Sequence, residues 1–288
     1  MDVARHHSAE RTPGARGATF GRAQKERIAL VMNVYKRLFA VAAGLTGDDL
    51  RRLGGQALDR IAAWSPALLE EIDGIAHGSG NQVELIGALN ARTELLAASA
   101  GECSTIACLG TATASGSPFG VQTWDWHEEL REGWLVWTIE HADGRRVETL
   151  TEAGIVGKIG VNASGVGVLL NILGHRNDRT PVGVPVHALC RRLLDESDGA
   201  VSALTLAGTA TMSASSAVTI VADDADGGVA CTVEVSPAGP GYCMPDQRGV
   251  LLHTNHFLAD PGREGDKMVR ESPHTMLRLD QARRRIDG

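Results

Sequence analysis

The sequence has no excess of positive charge. Its 28 lysines and arginines are outnumbered by 35 aspartates and glutamates, for a formal net charge of −7. A general nucleic-acid binder presents a basic face, so no nucleic-acid partner is expected. No apolar run is long enough to span a bilayer, and no membrane partner is expected either. The opening residues, MDVARHHSAERTPGARGATFGR, are polar and hold no apolar h-region, so no secretory signal is visible. His6 and His7 read there as part of a tail. The five cysteines, Cys103, Cys108, Cys190, Cys231 and Cys243, are odd in number and include no C-x-x-C pair. That argues against both a disulfide framework and a structural zinc cluster, and a reducing cytoplasm is the expected setting. Phosphate-binding patterns are missing as well. GIVGKIG lacks Walker spacing, no G-x-G-x-x-G opens a helix after a strand, and no G-x-S-x-G elbow signals a serine hydrolase. No resident cofactor is expected.

What is present is enough apolar residue, 43%, for a sizeable core. Apolar positions Ile28, Val31, Met32, Tyr35, Leu38 and Phe39 have helical spacing and predict a helix over 20–43. Further helices are predicted over 48–64, from Ser65-Pro66 to HGSG, and over 83–98. At Cys103 the texture changes to glycine, threonine and valine with a period near two. Strands are predicted over 104–109, 119–124, 134–141, 146–151, 157–162, 165–173, 217–222, 229–236 and 249–254. Asp-Gly pairs at 143–144 and 226–227 signal hairpins. Helices are predicted from Pro185, over 200–207 and along SPHTMLRLDQARRRI. No repeat or low-complexity linker interrupts this order.

Five stretches carry candidate chemistry. In SAGECSTIACLG, Cys103 stands between a small-residue loop and a strand. Were the Glu102–Cys103 peptide cut, Cys103 would carry an α-amine, with a reference pKa of about 8, beside its own thiol. Nucleophile and base would then share one residue. The alternative is a strand-edge cysteine without chemistry. In VQTWDWHEEL, Asp125 lies between Trp124 and Trp126, where a carboxylate needs hydrogen bonds if buried. It could orient an amine or a substrate, or act as a turn residue. In LLHTNHFL, Asn255 offers an amide that can donate to an oxyanion. His253 and His256 lie three apart without an obvious third ligand, so no metal is expected. Asn171, inside the apolar strand LLNIL, must find partners and is either a site residue or a structural one. Asn90, Arg92 and Glu94 lie on a helix shortly before Cys103, as ties to the loop or as solvated surface.

Taken in order, LNARTEL, GECST, QTWDW, TEAGIVGKIGVNASGVGVLLN, GVPVH, VEVSP and HTNHFL resemble the acyl-coenzyme A:6-aminopenicillanic acid acyltransferase (isopenicillin N acyltransferase) family, from about Gly17 to the end. The resemblance implies an α+β fold, the four-layer αββα sandwich of the N-terminal nucleophile hydrolases, with a helical N-terminal prosegment. It implies self-cleavage between Glu102 and Cys103 into residues 1–102, an α chain, and 103–288, a β chain, which stay together as one folded domain. Cys103 would attack an amide or thioester carbonyl of a small N-acyl substrate. Asp125 would hold its amine, Asn255 would donate to the oxyanion, and Asn171 matches a second site asparagine of related hydrolases. Acyl-coenzyme A would enter only as a co-substrate, and the processed chains would self-associate, with a homo-oligomer as an option. The chain departs from the pattern in three places. Glu102 stands where the best-known member has glycine, and Thr123 stands where asparagine is usual. The sequence also ends at RRRIDG, before the further strands and late arginine of family chains.

Two other readings stand beside this one. The first is a family member that lacks its last strands, is catalytically inactive, and serves as a binding or partner subunit. The second is a papain-like enzyme pairing Cys103 with His127 or His253.

Overall fold

The structure, a computed structural model, describes residues 3–96, 102–178, 182–224, 227–260 and 262–287. The chain starts with strand β1 (Ala4–Ser8) and helices α1 (Pro13–Ala23), α2 (Lys25–Ala43), α3 (Gly47–Trp64), α4 (Pro66–Ser79), α5 (Val83–Asn90) and α6 (Arg92–Leu96). Strands β2 (Glu102–Cys108), β3 (Phe119–Asp125), β4 (Trp134–Glu140), β5 (Arg146–Glu152), β6 (Ile159–Asn162) and β7 (Val166–Ile172) follow. Helices α7 (Val186–Glu196) and α8 (Ala200–Ala207) precede β8 (Ser216–Ala222), β9 (Val229–Val235), β10 (Gly241–Cys243) and β11 (Val250–His253). Helices α9 (Met268–Glu271) and α10 (His274–Asp287) close the chain. The fold is α+β. Among the described residues no single helix is long and apolar enough to cross a membrane.

The chain forms two compact units. Unit 1 comprises Met1–Ala97, His127–Ala163 and Thr180–Asp195; unit 2 comprises Ala98–Trp126, Ser164–Arg179 and Glu196–Gly288.

In unit 1, helices α1 and α4 pack at backbone contact because glycines face each other. A Cβ at Gly17 would collide with the Glu71 carbonyl, and one at Gly74 with that of Gly14. Gly54 and Gly87 do the same for α3 and α5. Strands run in the order β1-β4-β5-β6, with β1 parallel to β4 and the others antiparallel. The β4–β5 hairpin turns at Asp143-Gly144, where Gly144 has φ 88°. Phe20 stacks on the buried Trp137 at 3.9 Å between ring centroids. Two carboxylates lie in this core with no exposure, Glu71 and Glu152. Glu71 is held by Arg16 at 2.6 Å and by both terminal nitrogens of Arg191 at 2.6 and 3.0 Å. Glu152 accepts from Tyr35 Oη at 2.6 Å and Arg92 Nε at 3.1 Å, and pairs with Lys158. Burial pushes the Glu152 carboxyl up, but Lys158 and Arg92 more than offset this and hold it below the usual range.

In unit 2, β7-β8-β9-β10 form an antiparallel set and β11-β2-β3 a second, three-stranded one. The two face each other: Ala107 and Leu251 of the second pack on Val221 and Ala230 of the first. Gln122 of β3 ties them together, donating from Nε2 to Leu170 O at 2.5 Å and accepting from Leu170 N at 2.9 Å. Helix α8 packs on β8 and β9, and α10 on β11 and β2. All seven residues of β8 are buried, as a strand covered on both faces requires.

The structure differs from the sequence expectations at several elements. The helix predicted over 20–43 is two, broken at Gln24, and α1 starts earlier, with Thr12 capping Ala15 N and Pro13 in the first turn. The segment read as tail holds β1. His6 turns toward Phe20, edge-on at 5.1 Å, and Ser8 Oγ accepts from Trp137 Nε1 at 2.9 Å. Imidazole and hydroxyl supply the inward face that aliphatic residues would have signalled. Short β10 was also unpredicted. Residues 99–101 of the loop before Cys103, the end of the helix predicted to 98, and Asp226 lie outside the described residues.

Candidate active site

Strand β2 carries Cys103 at its second position. Its side chains alternate, with Cys103, Thr105 and Ala107 buried and Glu102, Ser104 and Ile106 half-buried. Cys103 therefore faces inward with Thr105, toward β7. Thr105 Oγ1 donates to Asn171 Oδ1 at 2.7 Å. Asn171 has no exposure, and among the described residues its Nδ2 has no hydrogen-bond partner. A buried amide donor without an acceptor thus sits on the thiol face of β2.

Asn255, just past β11, is the second site amide. Its Nδ2 donates to Ile172 O at 2.8 Å, which fixes the amide's orientation, since a flipped amide would set oxygen against a carbonyl. Its Oδ1 then accepts from Cys103 N at 2.8 Å and from Arg278 Nη2 at 2.9 Å. Its own N–H donates to Thr275 Oγ1 at 2.8 Å. Asn255 therefore binds the nitrogen of Cys103, and one of the two Nδ2 hydrogens is spent on Ile172 O of β7.

Arg278, on α10, completes the cluster. Nη1 donates to Cys103 O at 2.8 Å and to Ser104 Oγ at 2.7 Å. Its Nε lies 3.7 Å from Glu102 Oε2, whose other oxygen is 2.6 Å from His274 Nε2. One guanidinium thus touches the residues on both sides of the Glu102–Cys103 bond. Sequence reasoning missed Arg278, which reads as one charge among four arginines on α10. It also missed Thr105 and Thr275; period-two spacing from Cys103 was the only signal for Thr105.

The remaining candidates are placed by the strands and helices that carry them. Asp125 is exposed, opposite Glu102 in the β2–β3 ladder, while Trp124 stands opposite Cys103. His253 is no base for Cys103. Its Nε2 is 2.8 Å from Glu234 Oε1 and its Nδ1 2.8 Å from Thr254 O, so both ring nitrogens are engaged. His256 lies 3.1 Å from both Thr254 Oγ1 and Thr275 Oγ1, and burial, with His253 nearby, brings it down to about 4. His127 belongs to unit 1, as do Asn90, Arg92 and Glu94. Those last three are buried structural groups. Asn90 donates to Ile86 O and Gly154 O, both at 2.9 Å, and Glu94 accepts from Val186 N at 2.8 Å. Burial raises the thiols of Cys108, Cys190 and Cys231, that of Cys190 up to about 12. With the added effect of Glu234, Cys243 also reaches about 12.

The sequence pattern of the acyl-coenzyme A:6-aminopenicillanic acid acyl-transferase family matches residues 111–287. The chain is also similar to the 40 kDa form of acyl-coenzyme A:6-aminopenicillanic-acid-acyltransferase of Emericella nidulans. The two are 30% identical over 267 residues, 91% of this chain and 72% of the relative.

Proposed function

The chain belongs to the acyl-coenzyme A:6-aminopenicillanic acid acyl-transferase family, and from that premise we propose a self-processing cysteine enzyme that transfers or hydrolyses the acyl group of a small N-acyl amide or thioester. The observation that carries the reading is the buried bond from Cys103 N to Asn255 Oδ1, with Arg278 on the carbonyl of the same residue. The layer order in unit 2, helix α8, two facing sheets and helix α10, supports an N-terminal nucleophile sandwich.

Self-cleavage needs no outside reagent but water. The Cys103 thiol adds to the Glu102 carbonyl, and the peptide nitrogen leaves carrying the thiol's proton. Water then opens the Glu102 thioester. The products are a carboxylate at Glu102 and a Cys103 that bears both thiol and α-amine. Asn255 Oδ1 keeps that amine in place. The Arg278 guanidinium disfavours a second positive charge, so the amine stays neutral more readily and takes the thiol proton in each turnover. Asp125, across the ladder from Glu102, is the carboxylate the released amine meets when the Glu102 end withdraws.

In turnover the thiolate attacks the substrate carbonyl and a tetrahedral oxyanion forms. Asn171 Nδ2, buried on the thiol face with its oxygen held by Thr105, is the donor for that oxyanion. Collapse expels the amine or thiol, and water or a second amine takes the acyl group from Cys103. Acyl-coenzyme A fits the scheme as an acyl donor.

Intact mass of the purified chain beside Cys103→Ala tests the proposal. Two pieces, 1–102 and 103–288, in the parent and one uncut chain in the variant are expected. A parent that stays whole would overturn self-processing and move the reading to an inactive binding subunit.

A further inference from the structure

Away from Cys103, unit 2 holds a second group of reactive side chains that the proposed function does not use. Glu234 of β9, Cys243 of β10 and His253 of β11 bring a carboxylate oxygen, a sulfur and an imidazole nitrogen within 4.8 Å of one another. Glu234 and His253 are buried and Cys243 half-buried. Glu234 Oε1 lies 2.8 Å from His253 Nε2 and 3.7 Å from Cys243 Sγ. We propose that these three residues bind a divalent metal ion of the zinc type and so tie β9, β10 and β11 together.

The donor chemistry selects the ion. Sulfur, nitrogen and a single carboxylate suit zinc, whereas magnesium and calcium take oxygen ligands. The surroundings orient each donor. The Thr254 carbonyl can only accept, so His253 Nδ1 carries the hydrogen and Nε2 is the nitrogen presented to the cluster. The Glu234 carboxylate is fixed by the backbone N–H groups of Leu258 at 2.6 Å and Ala259 at 3.1 Å. Charge favours the ion as well. A thiolate, a carboxylate and a neutral imidazole sum to −2, which a divalent cation cancels, and a neutral assembly is the form that burial tolerates. A cavity of about 380 Å³ lined by Cys243, Leu258 and Ala259 among others reaches the sulfur side of the cluster. The two histidines of HTNH suggested no third ligand because the partners come from strands 10 and 19 residues upstream of His253, and His256 is turned toward Thr254 and Thr275 instead.

The test uses the full chain with Cys103→Ala, so that Cys103 cannot supply a thiolate. After chelation and removal of the chelator, the protein is titrated with Co²⁺ and then with Zn²⁺. One bound equivalent of Co²⁺ is expected, with a thiolate-to-cobalt charge-transfer band that Zn²⁺ abolishes. Adding Cys243→Ala should remove the band and lower the affinity for Co²⁺ at least tenfold. Cys243→Asp should restore binding of one equivalent without the band, a rescue that separates lost ligation from lost folding. Absence of the band at saturating Co²⁺, or its persistence in the Cys243→Ala chain, overturns the proposal.

Discussion

In unit 1 two fully buried carboxylates are held by cations. Glu71 lies between two arginines, and Glu152 lies among Arg92, Lys158 and Tyr35. Around Cys103 in unit 2 the buried polar groups are amides and hydroxyls, Asn171, Asn255, Thr105 and Thr275, with Arg278 reaching in from partly exposed α10. The two arrangements answer different demands. A buried ion pair locks a geometry and is severely damaged when one partner is removed. A network of neutral amides can direct a donor or acceptor at a reacting atom without fixing a charge there beforehand. The buried ion pairs of unit 1 suit holding a geometry, and the amides around Cys103 suit the chemistry proposed for it.

Substitutions that should leave one side of this contrast untouched test it best. Asn171→Ala is expected to produce the largest effect, a fall of about 10²–10³ in acyl-transfer rate, because it removes the donor proposed for the oxyanion. Rate at saturating substrate, measured beside a thermal melt, checks this. A variant that melts as the parent does yet keeps its rate would remove Asn171 from the chemistry. Glu71→Gln strikes the other unit. It takes the carboxylate from Arg16 and leaves Arg191 with Asp195 alone, and should cost about 3–5 kcal/mol in urea unfolding. Cleavage per folded molecule should remain unchanged. The smallest effect concerns His256. Its folded value, about 4, lies below that of the unfolded imidazole. The unfolded chain therefore binds the proton more readily, and the contribution of His256 is complete above the ordinary imidazole value. It is lost as pH falls toward about 4. His256→Gln should flatten the fall in melting temperature across that interval, which a melt series in pH would reveal.

Much of the scaffold was legible because its signals are local. The Asp143-Gly144 turn, the heptad-like spacing of α2 and the Pro66 start of α4 each rest on a few adjacent residues. Strand β1 was hidden because its inward face is made by His6 and Ser8, and three-residue β10 is too short to show a period. At the candidate site, Cys103, Asn171 and Asn255 could be picked out by type and position. What each atom does could not, because the direction of the Asn255 amide is set by Ile172, 83 residues away, and by Arg278. Arg278 itself acquires meaning only from where α10 packs.

The parallel strand β1 has a practical consequence for anyone looking for a processed form. It pairs with β4 over Ala4 to Ser8, and Glu71 on α4 is gripped by Arg191 on α7. Both partnerships join residues before position 102 to residues after it. A nick at Glu102 would leave the two polypeptides interleaved through one sheet and one buried ion pair. A sizing column would then register a single particle whether or not the bond had been cut, and only a denaturing gel or a mass spectrum would tell the two apart.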